Sequence, residues 1–129
     1  NVESTGEMVV NLVSEDLAQP MVMTSGEWPS DRSEFAVAGL TPVPSDLVKP
    51  PRVAECPVAL ECKVIQRVPV GADPSWIILG EVVRIHVRDE VLSDGLPDPR
   101  KIRPLARLGG DLYARLGEII EIKRPVVPP

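Results

Sequence analysis

The sequence predicts a mainly β fold with short helices, a β-rich α+β domain that is most simply built as a small barrel. Two observations support this. Residues 58–68 and 76–87 alternate apolar and polar side chains with the period of a strand, and a turn-forming stretch joins them, as in an antiparallel hairpin. Fifteen prolines in 129 residues are too many for a helical bundle, since each removes a backbone donor. The length suits one domain, so residues 1–129 are expected to form a single unit.

The chain opens with a strand followed by a helix. Residues 7–13, EMVVNLV, are typical of a buried strand. Ser14 is a favourable N-cap for a helix over 14–25, with acidic residues in its first turn where the helix dipole favours them. Pro20 should break or restart that helix, because proline is poorly tolerated beyond the first turn.

A second short helix is predicted over residues 31–40. Asp31 and Glu34 have the spacing of a capping box, and Gly39 is a suitable C-terminal stop. Residues 41–52 are punctuated by prolines and should be extended.

The hairpin is expected to have one dry and one wet face. The side chains predicted on the dry face are Val58, Leu60, Cys62, Val64, Leu79, Val83, Ile85 and Val87. Those predicted on the wet face are Glu61, Lys63, Arg67, Arg84, His86 and Arg88. Ile65 and Glu81 are out of phase with this alternation.

The C-terminal part should add little to the sheet. Residues 88–104 are predicted to be a polar loop with at most one helical turn, and residues 118–125 a last short strand. A sheet this short leaves exposed edges unless it closes or pairs with another copy.

Charge and cysteine content exclude several classes of function. The net charge is −5, and the basic residues of the C-terminal third alternate with acidic ones, so a nucleic-acid groove is not expected. No second cysteine pair or histidine cluster accompanies Cys56 and Cys62, so we expect buried thiols and no metal site. No apolar run is long enough to span a bilayer. These features predict a cytoplasmic protein without membrane contact.

Two segments are candidates for ligand binding. His86, between Arg84 and Arg88, belongs either to a solvated strand face or to a groove that meets an anion. Residues 107–113, RLGGDLY, form either a turn that needs a positive φ or a close backbone approach to a flat ligand. In the second interpretation Arg107 would meet a phosphate and Tyr113 a ring.

Five segments resemble the flavin reductase-like, FMN-binding split-barrel family, in the same order and over almost the whole chain. They are NVESTGEMVVNLVSEDLAQPM, EFAVAGLTPVPS, PPRVAECPVALECKV, LGEVVRIHVRDEVLSDG and RPLARLGGDLYARLGE. The resemblance implies a homodimeric split β-barrel of the Greek-key type that binds FMN, with FAD as an alternative. It corresponds to the C-terminal two thirds of that family's domain, so the N-terminal strands and the segments that grip the FMN phosphate are expected upstream of Asn1.

The family's activity suggests an NAD(P)H-dependent flavin reductase that transfers a hydride from nicotinamide to flavin, and a partner monooxygenase is one candidate consumer of the reduced flavin. The alternative is a non-catalytic flavin-binding or structural dimerisation module. The positions that match the family's cofactor-binding segments are Asn11, Thr24, Ser25, Arg107, Gly109, Gly110 and Tyr113. His86 is the candidate for the nicotinamide side, and the catalytic residues stay open.

Overall fold

The computed structural model describes residues 2–29, 31–72 and 75–127. Its α-helices, α1 to α4, are Val2–Thr5, Ala18–Thr24, Glu34–Ala38 and Pro99–Ile102. Two 3-10 helices span Glu15–Leu17 and Asp89–Val91. The strands, β1 to β9, are Glu7–Leu12, Pro42–Val43, Arg52–Val53, Val58–Val70, Ser75–Val87, Leu92–Ser93, Leu96–Pro97, Leu105–Arg107 and Tyr113–Arg115. The fold is therefore mainly β with short helices, as predicted.

The largest sheet among these residues has three antiparallel strands in the order β1-β4-β5. Leu12 lies opposite Val58, and Val58 lies opposite Val87, so β4 is the centre of the sheet. The predicted hairpin is confirmed, and each of its strands has 13 residues. The three strands form an open sheet, and β1 and β5 are its edges.

Register shifts in the hairpin explain the residues that broke the alternation. One shift falls between Val64 and Gln66, which makes Ile65 an extra residue on β4. The other gives β5 an extra residue at Val83, so Glu81 pairs with Lys63 on the polar face. Bulges of this kind change which face the following side chains occupy.

The predicted wet face is confirmed for Lys63, Arg84 and Arg88, which are exposed, and is wrong for Glu61, which the proline-rich segment 42–53 covers. This segment folds back on itself through β2 and β3. Three side chains of the sheet accept hydrogen bonds from backbone N–H groups of this segment. Glu7 accepts from Lys49, Asn11 from Val53, and Glu61 from Asp46 and Leu47. Buried N–H groups must be paired. Glu7, Asn11 and Glu61 therefore anchor a covering layer over part of this face.

The core lies on the opposite face at the end of the sheet where β1 stops. Val58, Val91 and Ile102 form its buried cluster, and Leu12, Leu60 and Val87 pack against them. The expected polar loop at 88–104 is more ordered than predicted: it holds a 3-10 turn, the β6–β7 hairpin and α4. Val91 and Ile102 come from that segment, so it closes the core. Ile85, predicted to be buried, is instead 61% exposed.

The helices begin and end differently from the prediction. The predicted helix at 14–25 is split into the 3-10 turn and α2, and Pro20 lies in the first turn of α2, where its missing N–H has no partner to lose. The capping box at Asp31 is wrong, since α3 begins after Ser33. Gly39 ends α3 as expected, with φ 67°.

The predicted strand at 118–125 is also wrong. Residues 116–127 have no strand assignment, and Ile120 and Ile122 are 68% and 80% exposed. A strand requires a hydrogen-bonded neighbour, and this segment meets none among the described residues. None of the described helices has the length and apolar character needed to cross a membrane.

Candidate functional site

Helix α2 separates two cavities. Residues three apart share a helix face, and Met21 and Thr24 line a cavity of about 250 Å³, called here the apolar cavity. Val22 and Ser25 share the adjacent face and line a groove of about 510 Å³, called here the hairpin groove. The two spaces therefore lie on neighbouring faces of one helix.

The other wall of the hairpin groove is the hairpin of β8 and β9. Arg107 and Tyr113 are directly opposite each other in the two strands. The Arg107 guanidinium carbon lies 5.9 Å from the centre of the Tyr113 ring, within the range of a cation–π contact. The connecting loop is closed by a hydrogen bond from the Leu108 N–H to the Leu112 carbonyl, at 2.9 Å. Both side chains are thereby held at the groove.

Of the charged residues that line the groove, Glu15 and Arg115 form ion pairs, whereas no ion pair of the described residues includes Arg107 or Asp111. Arg103 and Arg115 both contact the Glu15 carboxylate, at 3.0 and 3.4 Å. The hydrogen bond from Arg103 lowers the pKa of Glu15, with smaller electrostatic contributions from both arginines. No carboxylate of the described residues pairs with Arg107. Arg107 is therefore a cation of the groove available to an anionic ligand.

Of the two glycines in the loop, Gly110 is the one with a positive φ, 60°, and it lines the groove. Gly109 precedes it and has nothing within 4 Å of where a Cβ would lie. The turn interpretation is therefore correct for Gly110. It is compatible with ligand contact, because the same residue borders the open space.

Six of the seven predicted cofactor residues divide between the two spaces, and Gly109 lines neither. Ser25, Arg107, Gly110 and Tyr113 line the hairpin groove, whereas Asn11 and Thr24 line the apolar cavity. The Thr24 hydroxyl donates to the Met21 carbonyl and the Ser25 hydroxyl to the Val22 carbonyl, both at 2.7 Å. What these hydroxyls can offer a ligand is therefore an oxygen acceptor.

Asn11 has a structural partner as well. Its Oδ1 accepts the Val53 N–H at 3.0 Å, which fixes the side chain against the covering segment. Phe35, from α3, lies on the same cavity. The apolar cavity is thus bordered by side chains that hold β1, α2, α3 and β3 together.

His86 lies apart from both spaces, in a third pocket. Its Nε2 is 2.6 Å from Oε1 of Glu61. The expected row of arginines around it is wrong in one respect: Arg84 turns to Asp46, at 3.4 Å. The charge in contact with the imidazole is a carboxylate.

Glu61 is a buried charged residue that the sequence analysis placed on the wet face of the hairpin, and it is 0% exposed. Its carboxylate accepts the N–H groups of Asp46 and Leu47, at 2.8 and 2.7 Å, in addition to its contact with His86. Burial raises the pKa of Glu61, but these three hydrogen bonds outweigh it and hold the pKa at about 2. A glutamate within an apolar strand was the signal for this role.

Asp46, Glu61 and His86 bring one potential metal-ligand atom each to within 4.8 Å of one another. Both oxygens of Glu61 already accept backbone N–H groups, and Nε2 of His86 contacts the same carboxylate. Asp46 pairs with Arg84, whose positive charge opposes a cation. The geometry is therefore that of a hydrogen-bonded anchor.

Both cysteines are free and buried, as predicted. Burial, with a smaller contribution from Glu55, raises the pKa of the Cys56 thiol to about 11, and burial raises that of Cys62. Thiolate is the reactive form, so neither residue is suited to thiol redox chemistry at neutral pH.

The chain is similar to a family model and to several proteins of known sequence or structure. The family model described as "Flavin reductase like domain" matches residues 1–106. An uncharacterised protein of Aquifex aeolicus is 43% identical over 116 residues, which are 89% of this chain and 58% of that protein. The chain therefore spans just over half of that relative's length, and the family match ends before the loop that carries Gly110.

Solved structures with similar folds include flavin-related proteins. Nitrilotriacetate monooxygenase component B from Bacillus cereus matches with a TM-score of 0.88 and 32% identity, over 95% of this chain and 62% of that one. A Shewanella frigidimarina protein described as a flavin reductase with a split barrel domain has a TM-score of 0.86 and 26% identity, over 97% and 64%. Flavoredoxin of Desulfovibrio vulgaris has a TM-score of 0.79 and 28% identity, over 93% and 64%.

Proposed function

Because this chain belongs to the flavin reductase like domain family, we propose that the protein is a flavin-dependent oxidoreductase. It binds FMN in the hairpin groove and takes a hydride from NADH or NADPH. The observation that carries the proposal is the convergence of Arg107, Tyr113 and the backbone of Gly110 on one open space beside α2. At about 510 Å³ the groove is within the usual range for small-molecule sites.

The groove residues suit a flat anionic cofactor. Arg107 offers several N–H donors in a planar fork, which match the oxygens of a phosphate or the polar edge of a ring. Tyr113 offers an aromatic face, and Val22 and Leu105 offer apolar wall. Gly110 has no side chain, so a ligand can approach the backbone of the turn closely.

The flavin, when bound, supplies the redox chemistry, and the protein supplies binding, orientation and exclusion of water. Arg107 would orient the cofactor through its charge, and Tyr113 would limit its tilt by ring contact. Ser25 would offer an oxygen acceptor to an N–H of the ring, since its own proton is donated to Val22.

We propose a partner oxygenase as the consumer of the reduced flavin, on the basis that one similar structure is named as a monooxygenase component. The similarity to a flavoredoxin favours a second candidate, a flavin protein that passes electrons without reacting directly with NAD(P)H. This is the non-catalytic alternative in a more specific form.

Spectroscopy of the purified protein tests these proposals. FMN, FAD and riboflavin are titrated separately, and NADH or NADPH is then added to the saturated protein without oxygen. If the protein is a reductase, we expect FMN to bind and its visible absorption to decrease after NADH or NADPH is added. Binding without bleaching by either nucleotide would support the electron carrier. Failure to bind any of the three flavins would contradict both.

A further inference from the structure

We propose that the pocket containing His86 is an anion site, separate from the hairpin groove, that takes the phosphate group of a nucleotide. This space, called here the basic pocket, has a volume of about 350 Å³. It lies where the segment 52–57 passes the end of β5, and its polar side chains are Arg52, His86 and Arg88. The proposal goes beyond flavin binding and does not depend on it.

The charged side chains that line the basic pocket are all basic. Two arginines and a histidine line it, and no aspartate or glutamate is among its lining residues. Two nearby carboxylates pair with lining residues, Glu61 with Nε2 of His86 and Glu90 with Arg88, whereas none of the described residues forms an ion pair with Arg52. Pockets lined by one sign of charge concentrate ligands of the opposite sign.

Arg52 has a hydrogen-bond donor, its Nε–H, without an acceptor among the described residues. Its Nη2 donates to the Pro44 carbonyl at 3.1 Å, which holds the side chain in place. Its Nε is buried and has no hydrogen-bond partner among the described residues. A buried N–H without an acceptor is unfavourable. An oxyanion in the pocket would provide that acceptor.

Arg88 is positioned by the same segment. Its Nη2 donates to the Ala54 carbonyl at 2.5 Å, and its Nη1 contacts Glu90 at 3.1 Å. The Glu90 side chain is 70% exposed, and ion pairs in that environment contribute little. A phosphate can therefore replace Glu90 as the partner of Nη1 while the Ala54 contact continues to hold the guanidinium.

The lining of the pocket favours a phosphate ester over a bare anion. Arginine forks match phosphate oxygens in bidentate pairs. The remaining wall includes Val53 and Ala54, which offer apolar surface to whatever carries the phosphate. Both a nicotinamide dinucleotide and a flavin nucleotide have such a group, and the experiment must separate them.

Calorimetric titration of the purified protein tests the proposal, with inorganic phosphate, 2′,5′-ADP, FMN and riboflavin as separate probes. Arg52→Gln and Arg88→Gln should each weaken phosphate and 2′,5′-ADP binding by about ten-fold, the effect of one lost charge-assisted contact. Arg84→Gln is the matched control, because Arg84 is an arginine of β5 that pairs with Asp46 and does not line the pocket.

Equal loss in Arg84→Gln, or no loss in Arg52→Gln, would overturn the anion site. A loss of FMN affinity in Arg52→Gln with riboflavin unchanged would assign the phosphate to the flavin and overturn the separateness of the pocket. If Arg88→Gln fails to fold, Arg52→Gln and Arg52→Lys decide, since lysine keeps the charge without the fork and should retain part of the affinity. Flavin binding that fails while 2′,5′-ADP binds would affect only the proposed function.

Discussion

Glu61 shows how one side chain links the sheet to its covering layer. It is fully buried, yet its carboxylate accepts three hydrogen bonds and stays ionised. Two of the donors are the backbone N–H groups of Asp46 and Leu47. These two residues lie between β2 and β3, so their N–H groups are not paired within a strand. The charge is therefore a means of fixing a proline-rich segment that is poorly able to hydrogen-bond as a strand.

We predict that Glu61 makes the protein sensitive to acid. Its pKa is about 2 in the folded protein against 4.5 for the ordinary side chain. The unfolded chain therefore takes up this proton first, and stability that is complete above about pH 4.5 is lost as the pH falls towards about 2. Urea unfolding at a series of pH values measures this loss.

Glu61→Gln is the test variant for that experiment. It should lower the free energy of unfolding at neutral pH by about 1–3 kcal/mol, because an amide group replaces an acceptor oxygen. It should also lose less stability on acidification than the native protein. Glu15, Glu55 and Asp98 also have lowered pKa values, so the difference between the two proteins isolates Glu61. Parallel pH curves for the two would contradict the prediction.

Arg107 and Tyr113 carry the prediction for the flavin site. Arg107→Ala should weaken FMN binding by about ten-fold to a hundred-fold, through loss of a charge-assisted contact. Tyr113→Ala should weaken it more than Tyr113→Phe, which keeps the ring. Arg100→Ala, on the exposed surface of α4, is the control. Unchanged FMN affinity in both Arg107→Ala and Tyr113→Ala would make the hairpin structural only.

At the scale of elements, the β4–β5 hairpin is governed by its two bulges. A single alternating pattern would place every second residue on the same face, but the extra residues at Ile65 and Val83 reset that pattern twice. Glu81 consequently leaves the apolar face and lies opposite Lys63. Period-two counting identifies the strands and misplaces the side chains beyond each bulge.

The β8–β9 hairpin gives a prediction that separates its two glycines. Gly110 has φ 60°, whereas Gly109 has no positive φ and open space at its Cβ position. Gly110→Val should destabilise the turn by about 1–2 kcal/mol, the cost of a left-handed conformation for an L-residue, and Gly109→Val should change little. Hydrogen exchange at the Leu108 amide, which bonds to Leu112, measures the opening of the turn. Equal exchange rates in the two variants would refute the assignment.

At the scale of the molecule, the open sheet leaves apolar surface uncovered. Val10, Val82 and Ile85 are 42%, 45% and 61% exposed, and their register places all three on the face that carries Leu60. Near the tip of the hairpin, Trp76 and Ile77 are also about half exposed. Exposed apolar patches next to free strand edges are typical of surfaces that associate.

We therefore predict that the purified protein is a homodimer that buries this face. Light scattering after size-exclusion chromatography should give twice the protomer mass. Ile85→Glu should shift the protein towards the monomer, because burial of a charge in an apolar interface is costly. Leu96→Glu, at a residue 70% exposed on the separate β6–β7 hairpin, should not. A native protein that is monomeric at high concentration would contradict the prediction.

Much of the fold follows from the sequence itself. The mainly β class, the strand at β1, the long hairpin and the stop at Gly39 were all predictable, because each depends on residues close together along the chain. Alternation, capping and turn chemistry are local effects of covalent geometry and side-chain sterics. Resemblance of ordered segments likewise predicted the flavin reductase-like family, which the match over 1–106 confirms.

The positions of side chains in space depended on contacts between distant parts of the chain. Glu61 is buried because a segment 14 and 15 residues before it folds over the sheet, and Asn11 meets Val53 across 42 residues. Tertiary contacts also divide the predicted cofactor residues between the apolar cavity and the hairpin groove, on either side of α2. They place His86 in a pocket with Arg52. The segment 118–125 has no hydrogen-bonded neighbour among the described residues for the same kind of reason. Tertiary structure decides these features because burial and pairing require a partner, and local sequence does not specify which distant segment supplies it.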